Sequence, residues 1–139
     1  MATTEADRLR QFAITRRLEA AGFRAWPATS THYDGTWAVR LTTSFPAKRL
    51  NSVNPLDPSD DRDIEGRIAR ARAHFAAAGR ELIFRQSPLA PPALKAHLDA
   101  EGWESFGESV VFTADLATLD LSDALCLLYT SDAADDTPC

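Results

Sequence analysis

Apolar positions recur at helical spacing in three stretches of the chain. Between Glu5 and Ala21, Leu9, Phe12 and Ala13 fall at i, i+3, i+4, and Ile14, Leu18 and Ala21 repeat that spacing, which predicts a first helix. Thr4 with Asp7 three residues on resembles a capping box, and Gly22 is expected to stop the helix. The second stretch has the clearest pattern: Ile64, Ile68, Ala71, Phe75 and Ala78 form one stripe, with Asp60, Asp61 and Asp63 expected in the first turn and Gly79 as the stop. A third helix starts at Pro91-Pro92, carries Leu94, His97 and Leu98, and ends at Gly102-Trp103. Leu18–Phe23 and Leu98–Trp103 read alike, each as a helix end, a glycine stop and an aromatic that docks on a sheet.

Between these helices the pattern changes. Tyr33-Asp34-Gly35-Thr36 is a hairpin signal, and Trp37-Ala38-Val39-Arg40-Leu41 alternates, with Trp37, Val39 and Leu41 inward. Lys48–Pro55 reads as a short strand ending at its proline. Leu82-Ile83-Phe84 is a short apolar run of the kind found in buried strands, and Val110–Ala114 predicts a final strand. From Asn51 to Ala114 the order is strand, helix, strand, helix, strand, which argues for a mixed α/β sheet.

The 139 residues are enough for one domain with one core. Fifteen Lys and Arg against twenty Asp and Glu give a net charge of −5, which excludes a strongly basic nucleic-acid binder. No apolar run is long enough for a membrane span, and residues 1–20 carry no signal-peptide core, so the expected compartment is the cytoplasm.

Residues 126–136 back-translate, through permitted codons, into the transposase-type adapter used to prepare sequencing libraries. The expectation is therefore a domain over residues 1–125 that belongs to a longer protein. Residues 126–139 are then a non-native tail that packs poorly and is left out of the fold reasoning. Both cysteines, Cys126 and Cys139, lie in that tail, so a disulfide between them carries no meaning on this reading. Three acidic residues also lie there, and subtracting them from −5 leaves −2 for residues 1–125.

Catalytic and ligand-binding patterns are sparse. There is no G-x-S-x-G motif and no cysteine before Cys126, so no catalytic residue is assigned. His32, His74 and His97 are far apart in sequence and lack metal-ligand spacing. Asp57, Asp60, Asp61 and Asp63 lack the ligand order and turn glycine of a calcium loop, and are expected as a solvated helix N-terminus. No metal residue is assigned. Trp26, Trp37 and Trp103 are expected in the core. The polar segment Lys48–Pro55 either lines a pocket or satisfies an irregular strand end. No two of the six glycines lie within four residues of each other, so there is no glycine-rich phosphate cradle and no cofactor-binding residue is assigned.

The order of helix 61–78, strand 81–85, helix 91–101 with Gly102-Trp103, and strand 109–114 resembles the second half of a GNAT (Gcn5-related) N-acetyltransferase core. Trp37–Leu41, Lys48–Pro55 and Phe84-Arg85-Gln86-Ser87-Pro88 look like the N-terminal, degenerate half of bacterial proteins of that family. The resemblance covers roughly residues 5–118. It implies an α+β fold with a mixed, mostly antiparallel sheet flanked by about three helices. It also implies direct acetyl transfer, in which an amine of a small molecule or peptide attacks the acetyl-CoA thioester, helped by a general base and by amides that polarise the carbonyl. The family's Arg/Gln-x-x-Gly-x-Gly/Ala loop is absent, and Leu56–Asp61 stands where the core order would place it. Acetyl-CoA is thus expected as co-substrate of the intact parent protein, held by a further C-terminal GNAT half that is the expected partner, and this chain by itself is not expected to bind it. The alternative is a stand-alone, non-catalytic α/β domain that binds a ligand or a protein. Neither reading expects nucleic acid or a membrane as partner.

Overall fold

The computed structural model describes residues 3–120 and 122. It has the expected class: three α-helices and a three-stranded antiparallel sheet whose strands lie side by side in chain order. The expectation for residues 126–139 lies outside the described residues. The chain forms two compact units, divided between Glu104 and Ser105.

In the first unit, α1 spans Glu5–Ala25 and β1 Ser30–Asp34. They are followed by β2, Trp37–Leu41, a 3₁₀ turn at Lys48–Leu50, and β3, Ser52–Pro55. Two helices complete the unit, α2 over Ile64–Ala77 and α3 over Pro92–Ala100. The α1 capping box is present: Asp7 donates its amide to Thr4 Oγ1 at 3.1 Å, and Thr4 N donates to the Asp7 carboxylate at 3.2 Å. Those bonds hold the Asp7 carboxyl below its usual range, the Thr4 hydroxyl contributing most. The helix does not stop at Gly22. It continues to Ala25, and the Trp26 amide donates to the Gly22 carbonyl. Glycine permits a stop without forcing one; Pro27 restricts the residue before it and ends the helix there. At the other end of the supposed echo Gly102 does adopt a left-handed conformation, φ 78°, and ends α3, so the two segments end differently.

The apolar stripe of α1 is also not a core face. Leu9, Ile14 and Leu18 are exposed, and the only buried residue of α1 is Glu19. The helix docks through polar and cation–π contacts instead: Glu19 pairs with Arg85, and the Arg40 guanidinium lies 4.4 Å from the centre of the Phe23 ring.

The hairpin forms where Asp34-Gly35 marks it. Asp34 pairs with Trp37, so Gly35 and Thr36 are the two loop residues, and Gly35 has φ +61°. A glycine first in a two-residue loop supplies the positive φ that matches strand twist. Every residue of β2 and β3 is buried. The core joins Trp37, Val39, Leu41 and Val53 of the sheet to Ile68, Ala71 and Phe75 of α2 and Leu94 and Leu98 of α3.

Two expected strands are not strands. Leu82–Phe84 is reduced to one parallel bridge, Phe84 beside Val53, closed by Val53 N to Ile83 O and Arg85 N to Val53 O, each 2.8 Å. Val110–Ala114, in the second unit, is irregular chain with no strand partner among the described residues, and Phe112 is 89% exposed. Strand propensity acts only through a neighbour; without a ladder, β-branched residues do not make a strand. The second unit otherwise holds a 3₁₀ turn at Leu116–Thr118, capped by Asp115 accepting from the Ala117 amide.

Candidate functional site

The polar groups of the first unit gather where the hairpin meets the start of α2. Asp60 and Arg67 form a two-pronged pair, both bonds 3.1 Å, with each side chain about 5% exposed. Asp60 also accepts from the Thr36 amide at 2.9 Å and the Thr36 hydroxyl at 2.6 Å. Burial pushes the Asp60 carboxyl up, but the Thr36 bonds and the Arg67 guanidinium outweigh it and hold the carboxyl well below the usual range. The Arg67 guanidinium stacks 3.9 Å from the centre of the Trp37 ring and donates to the Asp34 carbonyl. Asp34 in turn takes Arg70 at 2.9 and 3.2 Å, and Arg70 reaches Asp63 at 3.1 Å.

This arrangement corrects the expectation of a solvated acidic N-terminus. Asp61 and Asp63 are exposed, but Asp60 is buried as the anchor of the β3–α2 loop. All three precede α2, with Asp63 as its cap in a left-handed conformation, φ 46°. The Asp63 carboxylate sits over the first turn, so close that a Cβ on Gly66 would meet it at 2.5 Å. Asp57 binds the Ser59 amide and hydroxyl. Carboxylates therefore already occupy the approach to this helix end, which a phosphate would need free and positive.

Two hollows border the sheet. One, of about 380 Å³, opens between the hairpin and α2 and is lined by His32, Asp34, Trp37, Arg67, Arg70 and His74 among others. The second, of about 210 Å³, lies against α1 and is lined by Arg16, Glu19, Phe23, Tyr33 and Leu56 among others.

The polar segment Lys48–Pro55 serves the backbone. Asn51 accepts from the Thr42 amide at 2.8 Å and donates to the Phe45 and Ala47 carbonyls. Asn54 donates to the Ser52 carbonyl at 3.0 Å. Buried Arg40 donates to the carbonyls of Arg49 and Trp26, and burial followed by the charge of Arg85 pushes its pKa down. These contacts place the segment with the irregular strand end and not with a pocket wall. Of the three tryptophans, Trp37 is buried and Trp103 half-buried, joined through the ring of Phe84; Trp26 is 46% exposed beside Arg49.

His32 and His74 are exposed and His97 is half-buried. His32 of β1 and His74 of α2, far apart in sequence, meet edge to face with ring centres 4.6 Å apart. The hairpin and the α2 stripe were both legible; what was missing was which helix face lies over which strand. His97 is elsewhere, with Glu101 one turn on at 3.2 Å. Among the described residues no group of three or more His, Cys, Asp or Glu is placed to hold a metal ion. No helix among them is long and apolar enough to cross a membrane. Comparison with family models, curated proteins and solved structures finds no match for this chain.

Proposed function

We propose that this chain is the non-catalytic N-terminal half of a cytoplasmic GNAT-type N-acetyltransferase. The parent protein moves an acetyl group from acetyl-CoA to an amine: the amine nitrogen bonds to the acetyl carbon, coenzyme A leaves as the thiol, and a base takes the amine proton. A second α/β half supplies the acetyl-CoA loop. The observation that carries this reading is the path of the chain around β3. Three antiparallel strands are followed by the α2 crossover, and the chain returns parallel to β3 at Phe84, the order expected of the acetyltransferase core. The loop that would grip pyrophosphate in that order is occupied by Asp57, Asp60 and Asp63 and their partners, which supports assigning the cofactor to the other half.

The test has two arms. Calorimetry with acetyl-CoA should show no micromolar binding to this chain; such binding would overturn the non-catalytic assignment. The unbroken gene should encode a second half with the Arg/Gln-x-x-Gly-x-Gly/Ala loop, and the joined protein should release coenzyme A thiol in the presence of amines. A stop codon just beyond Ala114–Leu121 would instead favour a stand-alone binding domain.

A further inference from the structure

We propose that His32 and His74 form a two-histidine site for a borderline divalent cation of the zinc type, at the mouth of the hollow between the hairpin and α2. The imidazoles come from different elements, and each element is fixed. His32 lies in register with buried Val39 across the β1–β2 ladder, and His74 precedes Phe75, which is fully buried in the core. Their ring centres are already 4.6 Å apart, so little chain order has to be imposed for both to reach one ion. Both residues are exposed, and among the described residues neither imidazole takes part in a hydrogen bond or ion pair. The two rings meet each other edge to face, whereas His97 Nε2 lies 3.2 Å from a Glu101 carboxylate oxygen.

Neutral imidazole suits zinc, nickel and copper. Arg70, one turn before His74 on the same helix, has its charge compensated by Asp34 and Asp63. Two protein ligands leave the remaining positions of a tetrahedral ion open to water or to a donor from a bound molecule, so the site is an exchangeable one. A bound ion would pin the hairpin to α2 and stabilise the fold.

The probe is zinc chloride, titrated by calorimetry into untagged protein whose Cys126 and Cys139 have been alkylated, with EDTA reversal. One zinc should bind to the unmodified sequence and to His97→Ala, and zinc should raise the melting temperature of both. His32→Ala and His74→Ala should each lose the heat and the thermal shift while keeping the parent circular dichroism. Should an alanine variant fail to fold, His32→Gln and His74→Gln carry the same comparison. No zinc binding by the parent protein, or binding that survives loss of either histidine, would overturn the proposal.

Discussion

Arg67 reaches back seven residues to grip Asp60 with both nitrogens of its guanidinium fork, and neither side chain retains more than about a twentieth of its surface in water. The pair ties the β3–α2 loop to the first turns of α2, and Thr36 extends the tie to the hairpin. Removing one partner leaves the other buried charge with only a longer ion pair, Arg67 with Asp34 at 3.4 Å or Asp60 with Arg62 at 3.5 Å. The cost should therefore approach but not exceed about 3–5 kcal/mol, the range typical of breaking a buried pair. Asp60→Ala and Arg67→Ala should each lower the unfolding free energy obtained from urea titration by an amount of that order. Asp61→Ala, at an exposed neighbour, should change it by less than about 0.5 kcal/mol.

Acid should release the same pair. The Asp60 carboxyl titrates lower in the folded chain than in the unfolded one, so its contribution is fully present above the ordinary carboxylate pKa of about 4 and is lost as pH falls further through the folded value. Stability measured by denaturant between neutral pH and pH about 3 should therefore fall, and by less in Asp60→Asn. Asp7, Asp57 and Glu101 are shifted in the same direction, but Asp7 and Glu101 are exposed and Asp57 is only half-buried, so they should contribute little. Equal acid sensitivity in the parent and Asp60→Asn would contradict the assignment.

Two glycines with nearly the same backbone should respond differently to a methyl group. Gly79 has φ 66° and open space around the position of a Cβ, so Gly79→Ala carries only the left-handed backbone cost of about 1–2 kcal/mol. Gly35 has φ 61°, but its Cβ would lie 2.6 Å from an Arg67 nitrogen and 2.7 Å from an Asp60 oxygen. Gly35→Ala should cost that backbone term and disturb the buried pair as well, giving clearly the lower melting temperature of the two.

What was legible in the sequence follows from how local each signal is. The α1 capping box, the hairpin at Asp34-Gly35 and the α2 stripe each depend on residues a few positions apart, and all three are present. The departures depend on distant partners. Helical spacing at Leu9, Ile14 and Leu18 says that a stripe exists, not that anything covers it. Val110–Ala114 has strand composition without a neighbouring strand among the described residues. Asp60 reads as one of an acidic run until Arg67 and Thr36 close on it. His32 and His74 are brought together only by the packing of α2 on the hairpin.

The sharpest contrast between α1 and α2 lies in what holds each to the sheet. Phe75 of α2 is fully buried in the core, and Phe75→Ala should cost about 3–5 kcal/mol through lost transfer energy and the cavity left behind. On α1 the corresponding element is Glu19, buried and paired with the half-exposed Arg85. Glu19→Ala removes the one buried side chain of that helix, whereas Glu19→Gln keeps its volume and loses only the charge. If the ion pair fastens α1, amide hydrogen exchange in α1 should speed up in both variants while exchange in β2, β3 and α2 stays slow, because their core does not include α1 residues. Phe75→Ala should instead speed exchange throughout the sheet and α2. A Glu19→Gln variant whose α1 amides remain as protected as the parent's would show that other contacts, such as Arg40 against Phe23, fasten the helix.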